Sequence, residues 1–203
     1  MTPPKTTTRP RETQAERSAR TRAALLASAR RLFAEKGFAG TGREEIAEVA
    51  GVTRGALYHH FASKTEVAAA VVAEIEDELV ERVVAAALKG RGLRDQLLRG
   101  CRAYVEACAD PTMARILADA PAVLGIEACR ALDAAACIPL QLTAFSQAEA
   151  EGMAVPGDPG VAAALLLGLL NEAGAIIAAS PHDRALTARV GATVDAFVGK
   201  LFD

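Results

Sequence analysis

Apolar residues recur along this chain at intervals of three and four, and no segment alternates as a half-buried strand would. Leu25, Ala29, Leu32 and Phe33 stand at i, i+4, i+7 and i+8 and predict a helix over about 15–35, stopped by Lys36-Gly37. Ile46, Ala47 and Ala50 mark one face of a short helix that must turn at Gly51, and Thr53 has the hydroxyl to cap another beginning near Arg54. Ser63 caps a fourth from Lys64 to about Leu88, whose apolar positions Val67, Val71, Ile75, Leu79 and Val83 repeat every four residues. After Gly90-Arg91-Gly92 a fifth helix is expected over about 93–109, closed by Asp110-Pro111, then a short one over about 112–118. Pro121 is read as opening a longer helix, about 122–151, kinked at Pro139. The last two run over about 160–179 and 182–202. The fold class is all-α, with about nine helices.

The segment Ile46 to Lys64, I-A-E-V-A-G-V-T-R-G-A-L-Y-H-H-F-A-S-K, has the parts of a helix-turn-helix. Small Ala47 lets two helices approach, Val52 fills the corner and Leu57 closes the little core between them. Arg54, Gly55, Tyr58 and His59 are left outside. Arg54 lies at the N-terminal end of the second helix, the part that reaches base edges in a major groove, where its planar fork matches guanine O6 and N7. Gly55 and Ala56 keep the surface low. Tyr58, His59, His60 and Lys64 offer donors where flanking phosphates would lie. The alternative is an ordinary helical hairpin with a solvated polar face.

From about Arg20 to Val72 the chain resembles the DNA-binding domain of the tetracycline-repressor (TetR) family, carrying G-F-A-G-T, then I-A-E-V-A-G-V-T-R-G-A-L-Y-H-H-F, then S-K-T-E. The resemblance implies a three-helix DNA-binding domain with Arg54 and Gly55 facing bases, and Thr41, Thr53, Tyr58, His60 and Lys64 contacting phosphate. Gly42 and Arg43 depart from the family's Ser or Thr followed by an apolar residue, and Arg43 offers a charge-assisted contact instead. The resemblance also implies that the remainder is a helical domain that dimerises and binds a small molecule, with the last two helices paired across a two-fold axis. Leu165, Gly168, Leu169, Ile176, Val190 and Val194 are the expected interface. The expected organisation is an arm over 1–14, a DNA-binding domain over 15–62 and an effector-binding and dimerisation domain over 63–203.

Composition agrees with packed helices: 51% hydrophobic residues with only 4% aromatic. The net charge of −2 conceals an asymmetry. Residues 1–64 hold 12 Lys/Arg against 6 Asp/Glu, a net of +6, while the rest hold 11 against 19, a net of −8. A basic head on an acidic body steers a polyanion to the head. Met1 to about Glu12 is rich in Thr, Pro and Arg and reads as a disordered arm, with Arg9 and Arg11 either solvated or reaching a neighbouring groove. It has no secretory hydrophobic run, so a cytoplasmic protein is expected.

Val161 to Ala179 is mostly apolar and long enough to test as a membrane span. Asn171-Glu172 falls near its middle, where an ionised side chain costs roughly 2.5 kcal/mol or more, so a buried helix of a bundle is favoured and no membrane is expected. Polar groups on so apolar a helix must find a partner or face a cavity. Tyr104, Asp119, Arg130, Asp133, Asn171 and Glu172 are therefore the candidate ligand contacts, with Asn171-Glu172 equally suited to bonding across a dimer axis.

Cys101, Cys108, Cys129 and Cys137 lack the close pairs of a zinc site, and His59-His60, adjacent on a helix, point apart. No metal site, cofactor or catalytic motif is expected, and an enzyme is the least supported class. The reading is a homodimeric, ligand-responsive repressor that binds near-palindromic operator DNA and releases it when a small molecule occupies the acidic domain. Two alternatives remain: an architectural DNA-binding protein without effector, and a ligand-binding module with a non-functional head.

Overall fold

The computed structural model describes residues 13–153, 155 and 157–202, and these contain nine α-helices and no strand. The helices are α1 (Gln14–Lys36), α2 (Arg43–Val49), α3 (Arg54–His60), α4 (Lys64–Ala87), α5 (Leu93–Ala107), α6 (Pro111–Leu124), α7 (Ile126–Ala150), α8 (Pro159–Ala178) and α9 (Arg184–Gly199), followed by a 3-10 turn at Lys200–Phe202. The expected arm lies outside the described residues up to position 12; of its last two positions Thr13 caps α1 and Gln14 begins it. Thr13 and Glu16 form a reciprocal capping box there, with Glu16 N donating to Thr13 Oγ1 and Thr13 N donating to Glu16 Oε2.

Local chemistry explains most of the other starts. Thr53 Oγ1 accepts from Ala56 N at 3.1 Å, and Ser63 Oγ accepts from Glu66 N at 3.0 Å. Asp110 accepts from Thr112 N and Met113 N ahead of Pro111, and Asp158 accepts from Val161 N ahead of Pro159. Both prolines sit in the first turn, where a missing N–H costs nothing.

Pro121 behaves differently from the expectation. It lies inside α6, which runs to Leu124 in place of ending near 118. The break falls at Gly125, which has φ 85°, a conformation that a side chain disfavours. Pro121 forfeits one backbone donor, and α6 continues for three more residues before Gly125 N closes the last turn on Pro121 O. Pro139 lies inside α7, which is continuous through it.

The core spans the whole molecule. Leu25, Leu26, Ala29, Leu32 and Phe33 of α1 pack with Ile46, Leu57, Val67, Val71 and Ile75, and the cluster continues through Leu79, Tyr104, Met113, Phe145, Leu166 and Ile177. At roughly 2 kcal/mol for each fully buried large aliphatic side chain, this continuity packs α4 and α6 firmly against the head. Arg30 of α1 donates to Glu78 of α4 at 2.7 Å. Arg115 and Asp119 of α6 lie beneath the turn between α1 and α2, with Asp119 Oδ2 accepting from Phe38 N at 3.4 Å.

Candidate DNA-facing surface and buried cavity

The helix-turn-helix takes the expected form. Gly51 turns with φ 67°, Val52 N donates to Ala47 O at 3.0 Å, and Ile46, Ala47 and Leu57 are buried between the two short helices. Thr53, Arg54, Gly55, Tyr58 and His59 share one exposed surface, and His60 is half-buried at its edge. A Cβ placed on Gly55 would meet only Thr53 Oγ1, at 3.9 Å. Nothing in the chain itself therefore requires glycine there, and its surface is low. Arg54 pairs with Glu44 of α2 at 2.8 Å.

Three of the expected phosphate contacts are spent inside the protein. Thr41 is 2% exposed and donates its hydroxyl to Gly37 O at 2.9 Å, so its side chain cannot reach a phosphate. Lys64 Nζ donates to Phe38 O at 2.8 Å and to Thr41 O at 2.9 Å and lies 4.1 Å from the Phe38 ring centre, tying the start of α4 to the turn after α1. Arg43 donates to Ala62 O at 2.9 Å while its guanidinium stacks over Tyr58, 4.6 Å from the ring centre. Gly42 caps α2 without a side-chain bond. Arg43 thus takes a bracing place between α2 and α3.

In the body, a cavity of about 400 Å³ opens between α4, α5, α6, α7 and α8. Across it runs a chain of hydrogen bonds: Tyr104 Oη donates to Asn171 Oδ1 at 3.1 Å, and Asn171 Nδ2 donates to Asp133 Oδ2 at 2.8 Å. Burial pushes the Tyr104 phenol well above its ordinary range, so it stays a donor. Glu76 of α4 lines the same cavity and is 6% exposed. Burial, with Asp133 and Asp77 nearby, raises its carboxyl to about 7. Beyond Tyr104 lies a second, mostly apolar cavity of about 200 Å³, where Gln141 Oε1 is buried without a partner.

Residues 94–201 match the family model described as Tetracyclin repressor-like, C-terminal domain, and residues 25–71 match Bacterial regulatory proteins, tetR family. A TetR-family transcriptional regulator from Pectobacterium atrosepticum, of known crystal structure, is 35% identical, with 94% of this chain and 98% of that one covered at a TM-score of 0.79. The chain belongs to the TetR family. Among its relatives, the HTH-type transcriptional regulator CymR of Pseudomonas putida is 40% identical over 72 residues, 36% of each chain. The repressor KstR2 of Rhodococcus jostii is 36% identical over 101 residues, 48% of this chain and 47% of that one. The chain thus matches between about a third and a half of the length of these two relatives, whereas it matches the crystal structure nearly throughout.

Within this TetR-family frame the six candidate ligand contacts separate. Tyr104, Asp133 and Asn171 meet at the cavity. Glu172, Asp119 and Arg130 do not line it: Glu172 is exposed on α8, about 100° around the helix from Asn171, Asp119 serves the junction with the head, and Arg130 pairs with Glu127 at 3.2 Å. Glu76 and Gln141 were not anticipated. Glu76 had a visible signal, since it stands between Val72, Ile75 and Leu79 on the apolar face of α4.

The expected interface also divides. Leu165 is 70% exposed and Ile176 42%, and with Val161 and Gly168 they form an outward stripe on α8, beside Phe197 of α9 at 60%. Leu169 and Val190 are partly buried against the chain's own core. Val194 is 2% exposed within that core and is unavailable to a partner chain. α8 is the one helix among the described residues long and apolar enough to cross a membrane, and its other face is packed inside the bundle through Ala163, Leu166, Leu170 and Ile177. Cys101 and Cys108 are buried thiols pushed up to about 12 by burial, and they act as small apolar side chains.

Proposed function

We propose that this TetR-family protein is a cytoplasmic homodimeric repressor whose operator affinity falls when a small molecule enters the cavity of the body. Residues through 62 form the reading head, with Arg54 on bases and Thr53, Tyr58, His59 and His60 on the flanking backbone. The rest of the chain holds the effector and the dimer surface, for which the outward stripe of α8 and the exposed Phe197 of α9 offer apolar area.

The observation that carries this reading is the position of α6. Ala114, Leu117 and Pro121 line the cavity, while Arg115 and Asp119 of the same helix lie beneath the turn that leads into α2. A molecule that displaces the cavity wall therefore moves a helix on which the head rests, and α4 adds a second link through Lys64 and Glu78. Release requires the ligand to bind the DNA-incompetent arrangement more tightly, because equal affinity for both would shift nothing. An architectural protein has no use for such a cavity.

The test is to select operators from random DNA, then titrate a metabolite library against the complex while following fluorescence anisotropy. A near-palindromic operator released by a compound that also raises the thermal midpoint of the free protein is the expected result. Equal binding to all duplexes, or no release by any compound that binds the protein, overturns it.

A further inference from the structure

The polar end of the cavity lined by Tyr104 and Asn171 is acidic on every side that carries charge. Glu76 enters from α4 and Asp133 from α7, while α5 contributes the neutral Tyr104 and Cys108, α7 also Cys129, and α8 the neutral Asn171. The α6 wall brings no ionisable group, and no Lys, Arg or His lines the cavity. Tyr104 and Asn171 already direct donors to Asn171 and Asp133, so the unmet demand is for donors or positive charge. Glu76 is the sharpest case. It is 94% buried, its carboxyl opens onto the cavity, and among the described residues no hydrogen bond or ion pair reaches it. A largely buried carboxyl with no protein partner and a second carboxyl nearby is a costly arrangement.

We propose that the ligand of this cavity is a small lipophilic organic cation, an amine or quaternary ammonium attached to an apolar body, with Glu76 as its counter-ion and Asp133 as the second carboxylate. This rests on the ligand-gated reading above and names the chemical class that the site takes. A positive centre relieves the repulsion between the two carboxyls and supplies the missing partner, whereas an anion adds a third like charge in a desolvated space. The apolar walls from α6 and α8, Leu117, Ala118, Ala175 and Ala178, suit the hydrocarbon part. Because the burial of Glu76 holds its proton to about 7, a permanently charged ligand binds more tightly as pH rises from about 6 to about 8. Asp133, also raised by burial, adds to the same trend.

Three probes of similar size decide the matter on the full-length protein by calorimetry at about pH 8: benzyltrimethylammonium, its neutral carbon isostere neopentylbenzene, and 3-phenylpropionate. The cation is expected to bind at least about tenfold more tightly than the isostere, and Glu76→Gln is expected to remove that preference. The glutamine variant keeps the shape of the side chain and relieves a buried carboxyl, so circular dichroism and thermal midpoint establish that it is folded. Equal or tighter binding of the isostere or the anion, absence of binding by the cation, or unchanged cation affinity in Glu76→Gln each overturns the assignment. The two readings fail separately. Operator release by a neutral or anionic compound alone leaves ligand gating intact and removes the cation, whereas Glu76-dependent cation binding that never releases DNA keeps the cation and removes the gating.

Discussion

Arg54 Nη1 lies 2.8 Å from Glu44 Oε1, so the side chain proposed to read a base is held by a carboxylate on the preceding helix. Both side chains are mostly exposed, and pairs of this kind contribute about 0–1 kcal/mol. The pair therefore positions Arg54 at little cost to its release. Glu44→Gln is expected to raise affinity for DNA, by about fivefold at most, because it frees the guanidinium and removes a negative charge beside the phosphates. Unchanged or weaker binding in anisotropy titrations would argue that the ion pair orients Arg54 productively.

Arg54 and Lys64 are expected to separate base reading from support. Arg54→Ala should cost roughly 1–3 kcal/mol on operator DNA and much less on random duplex, with little change in stability. Lys64→Ala removes the ammonium donor from the carbonyl of Thr41 and from that of Phe38, which keeps only Thr41 N, so it should lower the thermal midpoint as well as weakening both kinds of DNA binding. A wild-type midpoint for Lys64→Ala, or equal losses on both DNAs for Arg54→Ala, would refute these roles.

Adjacent residues of α8 should behave oppositely. Asn171→Ala removes the group joining Tyr104 to Asp133 and is expected to blunt the effector response while sparing ligand-free operator binding. Glu172→Gln points away from the cavity and should leave the response intact. Dose–response curves for operator release distinguish the two, and equal loss in both variants would place the effector elsewhere.

Stability should depend on pH through Glu76. Folding holds this proton to about 7, whereas the unfolded chain releases it in the ordinary carboxylate range, so the folded protein binds more protons between those limits. Its contribution is fully present below that window and is lost as pH rises through it, by on the order of 3 kcal/mol for a group so buried. Glu76→Gln should flatten that decline in urea melts between about pH 5 and pH 8. A variant with the same pH slope as the wild type would mean that Glu76 titrates normally.

At the dimer surface, Leu165→Arg is expected to yield a folded monomer in sedimentation, since Leu165 is 70% exposed in the single chain. Leu169→Arg should instead destabilise the fold, because Leu169 packs against the chain's own core. A dimeric Leu165→Arg protein with wild-type operator affinity would move the interface away from α8.

Short-range chemistry made the head legible in the sequence. Gly51, Thr53 and Leu57 act on residues one to four positions away, and the periodicity of α1 and α4 marks one inward face on each. The same locality placed the break after α4 and the capped starts of α3 and α4. The boundary of α6 escaped it, because Pro121 is compatible with both a first turn and a last turn, and only the left-handed backbone of Gly125 decides between them. Orientation within the body was beyond local pattern for a further reason. α8 is apolar nearly all round, so its sequence prefers no face, and partners distant in the chain choose one: Tyr104 and Asp133 draw Asn171 inward, and Glu172, about 100° around the helix, is left outside. Val194 is drawn into the chain's own core, and Leu165 is left at the surface. A helix with a strong apolar stripe carries its orientation in its own residues, whereas one without it takes its orientation from the elements that pack around it.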